Sequence, residues 1–536
     1  MEKWLEKCVK WLLGPEIARE NRPGHLWARW IFLRALGIFY FSAFLSFLFQ
    51  VKGLIGPNGI LPAGDYLQAV SAAMHSLRFW FAPTLLWLGS GDRALILVCW
   101  TGAIASVLLV LNLWPRAALV ACFICFLSII AVAQDFASYQ SDGMLLEAGF
   151  LSLFFAPPGL WPGLGRAHPA SRASLFLLRW EWFCIYFGSG SGKIAGGDPS
   201  WRNFTAMDDY YQNGPLPTWI GWYAQHLPHW FHASTVFLTL AIELVLVWMV
   251  FLPRRFRIAC FFIVTPFEIG IILTANYAFL NYLVLALGFL LLDDRFVEWI
   301  VPQRLRRLID SAPAQAAPAE ATSQESQWRK FLAPARMLIA GVFLGLILYS
   351  TGAQLVWRIF PEVPLPQKPI VMLMPFRVAD RYGLFESMTH ERREIEFQGS
   401  ADGNTWVAYP FSHKPQDVRK APGIYAPYQP RFEWNLWFAS LGVWPQYRFV
   451  LWTEERILQN EPDVLSLFAS NPFPNGPPRQ VRAVIYRYWF TDWKTKRQDG
   501  AWWQRDFLGD YAPRLEREPD GRIVILDVPT TGPPSE

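Results

Sequence analysis

The sequence predicts a polytopic α-helical membrane bundle carrying a C-terminal, extracytoplasmic, mainly β (β-sandwich-like) domain. Three observations predict it: nine long apolar stretches between residues 31 and 356, a polar cysteine-free tail beyond them, and Lys and Arg clustered at alternate span ends. A bilayer core of about 30 Å takes roughly 20 apolar residues per helix, so these stretches decide which parts of the chain meet water. Composition agrees, because 53% hydrophobic and 17% charged residues are too apolar for an ordinary soluble enzyme and too charged for a chain lying wholly in lipid. The 28 tryptophans exceed the needs of a core and suit interfacial belts. A net charge of +5, spread in short clusters, excludes nucleic acid as a partner.

The basic start, with Lys3, Lys7, Lys10, Arg19 and Arg22, leads into an apolar run without a small-residue cleavage site and reads as an uncleaved first span. The expected spans are 31–49, 94–111, 117–133, 144–156, 174–188, 233–252, 256–275, 277–292 and 335–356. The Trp-rich stretch 79–88 reads as an interfacial or re-entrant helix or a tenth span. Four regions follow: a bundle over 1–300 with about eight spans, a disordered cytoplasmic linker over 301–333, a last span over 334–356 and a soluble domain over 357–536. The linker rests on SAPAQAAPAEATSQESQ, which is too poor in large apolar residues to fold. With the N-terminus inside, the inside loops hold Arg116, then Arg166 and Arg172, then Arg254, Arg255 and Arg257, then Arg295, Arg304, Arg306, Arg307, Arg329 and Lys330. The outside loops carry Lys52, Lys193 and Arg202, so the positive-inside rule puts the tail outside the cytoplasm.

In the tail, REIEF, TWVAYPF and VRAVIYRYWF read as strands, GSADGN as a tight hairpin turn, and 434–441 and 462–469 as short helices. All six cysteines precede the last span, and the Cys122-Cys125 pair reads as helix packing, there being no thioredoxin-like pattern around it.

An unpaired charge costs at least about 2.5 kcal/mol at the bilayer centre, so Glu147, Arg179, Glu181, Glu243 and Glu268 need partners. Asp142, Glu147, Lys193, Glu243, Glu268, Asn276 and Asn281 form the candidate polar cluster, inside the membrane or at its outer face. It reads either as a buried site or proton relay, or as hydrogen bonding that fixes the bundle; the second is favoured because polar contacts are common between membrane helices. His226, His229 and His232, spaced i, i+3, i+6, hold a metal only if a carboxylate joins them, and an interfacial helix explains them as well. No P-loop, GxGxxG, HExxH or GxSxG is present, so no catalytic residue, metal or cofactor is assigned. Trp434, Trp437, Phe438, Trp502 and Trp503 are the candidate client-binding residues, against the alternative that they fill the core of the β domain.

Several motifs in sequence carry a resemblance: YQSDGMLLEAGFLSLFFAP from Tyr139, FGSGSGK ending at Lys193, LPTW followed by QHLP, FLPRRFR after Glu243, and LTANYAFLNYL before Asp293 and Asp294. REIEFQGSADGNTW, APYQPRFEWNLWFASLG, NPFPNGPPRQVRAVIYRYWFTD and GAWWQRDFLGDYAP continue it in order. From about Tyr139 to Pro513 the chain resembles the lipase maturation factor family, with TAN where the family has TGN. The resemblance implies a multi-pass chaperone-like factor that assists secreted clients, lipases among them, with membrane lipids around it. It also implies the endoplasmic reticulum membrane, or the plasma (inner) membrane in a bacterial member. The family is distantly similar to HTTM proteins, which include the γ-carboxylase, and that similarity implies an alternative: an intramembrane enzyme acting on a lipid-soluble substrate, with Glu268, Glu243, Lys193 or the His226 group converging on one cavity. A transporter would show internal repeats, and none is evident.

Overall fold

The computed structural model of the chain describes residues 24–137, 139–304, 306 and 327–529. The basic start and most of the linker therefore lie outside the described residues. Each expected apolar stretch forms a helix: α1 Leu26–Leu48, α2 Asp92–Val110, α3 Pro115–Ile130, α4 Gln140–Phe155, α5 Arg172–Ala195, α6 His229–Leu244, α7 Arg254–Thr274, α8 Leu280–Gly288 and α9 Gln327–Ile359. Five are long and apolar enough to cross a bilayer: α1, α2, α6 with its 3-10 extension to Phe251, α7, and α9 from Met337. The nine expected spans differ in length and exposure. Helices α3 and α8 are shorter, α4 has 16 residues, and α5, which carries Arg179, Glu181 and Lys193, is shielded by α4, α6, α8 and α9. Residues 327–333, assigned to the linker from composition, begin α9, in keeping with the helix propensity of Gln327, Arg329, Lys330 and Leu332.

The stretch 79–88 does not cross. It breaks into one turn over Arg78–Phe81 and a 3-10 turn over Leu85–Leu88, with Phe79, Trp80, Phe81 and Leu88 exposed.

Alternating helix directions give the bundle two unlike ends. At one end, Arg29 is buried and donates to the carbonyls of Leu164, Gly165 and His168 at 2.8–3.0 Å, Arg254 pairs with Asp293, and Asp294 accepts from the Trp27 amide at 2.8 Å. At the other end sits the C-terminal domain.

That domain is built on one antiparallel sheet of β1 Arg392–Ser400, β2 Val407–Ala408, β3 Gln480–Phe490, β4 Trp503–Asp510, β5 Arg514–Arg517 and β6 Ile523–Asp527. The order is β2-β1-β3-β5-β6, with β4 also on β3, and the central register runs from Arg392 opposite Tyr488 to Ser400 opposite Gln480. In place of the second sheet of a sandwich, helices α10 Arg431–Ser440 and α11 Phe449–Leu458 cover it, with Phe432 and Phe468 packed on Phe397. The 462–469 helix is confined to Pro462–Leu465. GSADGN does connect two antiparallel strands, through a loop wider than a tight turn: seven residues, 400–406, join Gly399 to Val407. Asp402 organises them by accepting from the amides of Thr405 (2.7 Å) and Asn404 (2.8 Å), and these bonds hold its carboxyl well below the usual range.

Helices α1 and α2 touch where Gly102 faces the ring of Phe44, and a Cβ at Gly102 would overlap that ring. Gly102→Val is expected to lower stability by about 1–3 kcal/mol, read as an earlier thermal midpoint of the purified protein, whereas Ile104→Val on the exposed face leaves the midpoint unchanged.

Candidate functional site

Asp142 stands in the first turn of α4, where its negative charge complements the helix N-terminus. It is fully buried and receives a two-pronged contact from Arg431, at the start of α10 in the C-terminal domain: Nη1 donates to Oδ2 at 2.8 Å and Nη2 to Oδ1 at 2.7 Å. Nη1 also donates to the Phe136 carbonyl at 2.8 Å, and the guanidinium lies over Phe47 at 4.1 Å. Paired, bidentate and stacked, the arginine tolerates complete burial.

A second group of contacts receives the segment 379–388, which precedes β1. Glu147 on α4 accepts from the Asp380 amide at 3.0 Å and the Tyr382 hydroxyl at 2.6 Å. Lys193 on α5 donates to both oxygens of Glu243 at 2.8 Å and to the Leu384 carbonyl at 3.0 Å. Gln140 clamps Gly383 from both sides, and Asp198 accepts from the Met388 amide at 2.6 Å. The glycines of FGSGSGK make this approach possible: a Cβ on Gly188 would lie 2.7 Å from the Tyr382 carbonyl oxygen. Burial at this seam pushes the Asp380 carboxyl up, against the opposing pull of Arg377.

The remaining members of the expected cluster separate. Glu268 accepts from Asn281 at 2.8 Å and from Tyr186, inside the bundle. Asn276 instead serves the domain: its Oδ1 accepts from the amides of Tyr425 (2.7 Å) and Ala426 (3.0 Å), and its Nδ2 donates to the Gly423 carbonyl. Glu181 is fully buried, with neither oxygen hydrogen-bonded among the described residues. His229 and His232 both face Asp208 at 2.9 Å, while His226 turns to the carbonyls of Trp222 and Thr491. Among the described residues the three histidines therefore do not share one ligand set, and of the residues proposed for an intramembrane site Lys193 and Glu243 pair with each other while His226 bonds elsewhere.

Between the two parts lies a cavity of about 650 Å³. Tyr139, Gln140 and Ser141 at the start of α4, Tyr277 and Leu280 before and on α8, and Arg358 at the end of α9 supply the bundle's side. The 381–389 loop and Trp434, Trp437, Phe438 and Leu441 supply the domain's side. Three of the five candidate client residues thus come together. Trp434 is mostly core and stacks near Tyr139, while Trp437 and Phe438 are half-buried. The other two are elsewhere: Trp503 is buried with Trp222, Tyr488 and Phe490, and Trp502 is half-buried against the same group. The sequence reading missed Arg358, Arg381, Phe385 and Glu386, which lie in ordinary polar surroundings in the chain and acquire meaning only through docking.

Asp142→Ala is expected to destabilise the protein by about 3–5 kcal/mol by stranding the Arg431 charge, and Asp142→Leu combined with Arg431→Met is expected to recover much of that loss. Thermal unfolding, with limited proteolysis between α9 and β1, measures both.

The lipase maturation factor transmembrane domain matches residues 27–299, and the lipase maturation factor C-terminal domain matches residues 378–513. Lipase maturation factor 1 of Bos taurus is 32% identical over 518 residues, covering 93% of this chain and 90% of the relative. Lipase maturation factor 2 of Gallus gallus is 30% identical, covering 91% and 81%, and lipase maturation factor 1 of Homo sapiens is 30% identical, covering 92% and 90%. No solved structure matches the chain. With both domain models matched in order and with relatives aligned over nearly its whole length, this multi-pass membrane protein belongs to the lipase maturation factor family.

Proposed function

We propose that the protein is a membrane-resident, non-enzymatic maturation factor that holds newly exported clients, lipases by the names of its relatives, while they fold and assemble. The observation that carries this reading is the fixed docking of the C-terminal domain on one end of the bundle through Asp142 and Arg431. A domain held this way presents its surface at a constant place beside the membrane. The edges it offers are open and carry apolar side chains: among the described residues β4 pairs only with β3 and β6 only with β5, and Phe507, Leu508, Ile525 and Leu526 are exposed on them. Unprotected apolar edges attract other extended chains, and main-chain hydrogen bonding along an edge suits clients of many sequences. Trp434 and Trp503 belong to the core, so client contact is proposed for these strands, with Trp502 beside them.

The domain faces away from the cytoplasm in this reading, because the arginines Arg29, Arg116 and Arg254 gather at the opposite end of the bundle. By family the membrane is that of the endoplasmic reticulum, and in a bacterial member the inner membrane.

Two outcomes are expected. In a Cys8→Ser background, a cysteine placed at Ile525 reacts with a membrane-impermeant maleimide applied to the extracytoplasmic side of sealed cells or vesicles; protection there with labelling from the cytoplasmic side overturns the orientation. Phe507→Glu with Ile525→Glu lowers the activity of a secreted client severalfold at unchanged client synthesis and unchanged level of the factor, as measured by client assay and immunoblot.

A further inference from the structure

The seam cavity is walled by aromatic rings and carries a cation without a partner among the described residues. Arg358 is engaged by Glu386 and by the Tyr382 carbonyl at 2.9 Å. Arg381, also on the lining, is exposed and makes no hydrogen bond or ion pair among the described residues. At about 650 Å³ the space lies within the range of single small-molecule pockets, roughly 300–1,000 Å³. A helix of about 11 Å diameter would fill it in about one turn.

The backbone around the cavity argues against an extended peptide. Gly383 and Leu384 have both amide and carbonyl committed to Gln140, Ser189 and Lys193, and the Thr389 carbonyl is taken by Asn213 at 2.7 Å. Among the described residues no strand edge lines the wall, so a peptide would leave its own polar groups unpaired. A hydrocarbon chain requires only contact with Tyr139, Phe385, Trp437 and Phe438. For an anionic head group on that chain, Arg381 on the lining supplies a guanidinium, the group that best matches carboxylate and phosphate.

We propose that this cavity binds one acyl chain with an anionic head, the shared chemistry of a free long-chain fatty acid and an anionic phospholipid.

The probes are palmitate, added to delipidated full-length protein in a non-ionic detergent, and phosphatidylglycerol in nanodiscs holding the same protein. Saturable palmitate binding near one per chain is expected, weakened about tenfold by Arg381→Gln and equally by replacing palmitate with its methyl ester. Leu441→Trp, which fills the mouth, is expected to abolish it while the thermal midpoint is kept. A brominated palmitate quenches tryptophan fluorescence, and Trp437→Phe reduces that quenching. Displacement of palmitate by phosphatidylglycerol but not by phosphatidylcholine assigns the bilayer as the source; no displacement assigns the free acid. Both outcomes support the site. Absence of saturable binding, binding insensitive to both Arg381→Gln and Leu441→Trp, or saturation by an apolar peptide in place of palmitate overturns it. Client maturation is read separately, through Phe507 and Ile525, so failure of one idea leaves the other standing.

Discussion

The arrangement of the whole molecule depends on one buried ion pair, Asp142 with Arg431, separated by 289 residues and by the entire remainder of the bundle. Either charge alone in this place would be untenable, since an isolated ion away from water costs several kcal/mol even after relaxation. Together, with Phe136 supplying a carbonyl and Phe47 and Tyr139 supplying ring faces, they form a neutralised group in which both terminal nitrogens of Arg431 donate to Asp142. The bundle therefore holds a charge that only the C-terminal domain completes, and the domain holds one that only the bundle completes. Such complementarity specifies a single docked arrangement more sharply than apolar contact alone.

The same logic extends outward from that pair. Glu147, Lys193 and Asn276 each direct hydrogen bonds to the segments 379–388 and 423–426, and Ser42 and Ser46 on α1, with Gln50 just after it, bond to the stretch 427–429. Two glycine features answer two packing needs: Gly102 lets helix meet helix, whereas Gly188 lets an irregular segment lie against α5. Three of the polar groups on the helices, Asp142, Glu147 and Lys193, receive the domain, a third role beside the relay and the interhelical contact that the sequence suggests.

How much of this was legible in the sequence follows from the range of each signal. The helices were, because apolar runs are local, and β1, β3 and α10 were, because alternating or amphipathic patterns are local too. The need of Glu147, Glu243 and Glu268 for partners was legible for the same reason. Their partners were not: Tyr382 lies 235 residues from Glu147, and no local pattern marks it. Strand β4, WQRDFLGD, mixes charges with a glycine and lacks clean alternation, and β5 and β6 are short, so the sheet's second half went unread. The tight-turn reading of GSADGN failed because Asp402 gathers amides and a serine hydroxyl into a longer loop. Trp434 and Trp503, read as surface or core with equal warrant, were decided by packing on Tyr139 and on Phe490.

The seam cavity has walls from both parts, and this couples its contents to docking. A group that touches Tyr139 and Tyr277 on one side and Trp437 and Phe438 on the other binds only the docked state, so by linkage it stabilises docking as docking creates its site. The buried ion pair and the cavity then act in the same direction, and they share Tyr139, which gives a ring face to Arg431 and a wall to the cavity. A surface such as β4 and β6 gains from that rigidity, since a client meeting a fixed edge forfeits less orientational freedom than one meeting a domain swinging on the end of α9. The polar residues that looked out of place in the apolar helices are in this sense what holds the apolar strands of the tail in place.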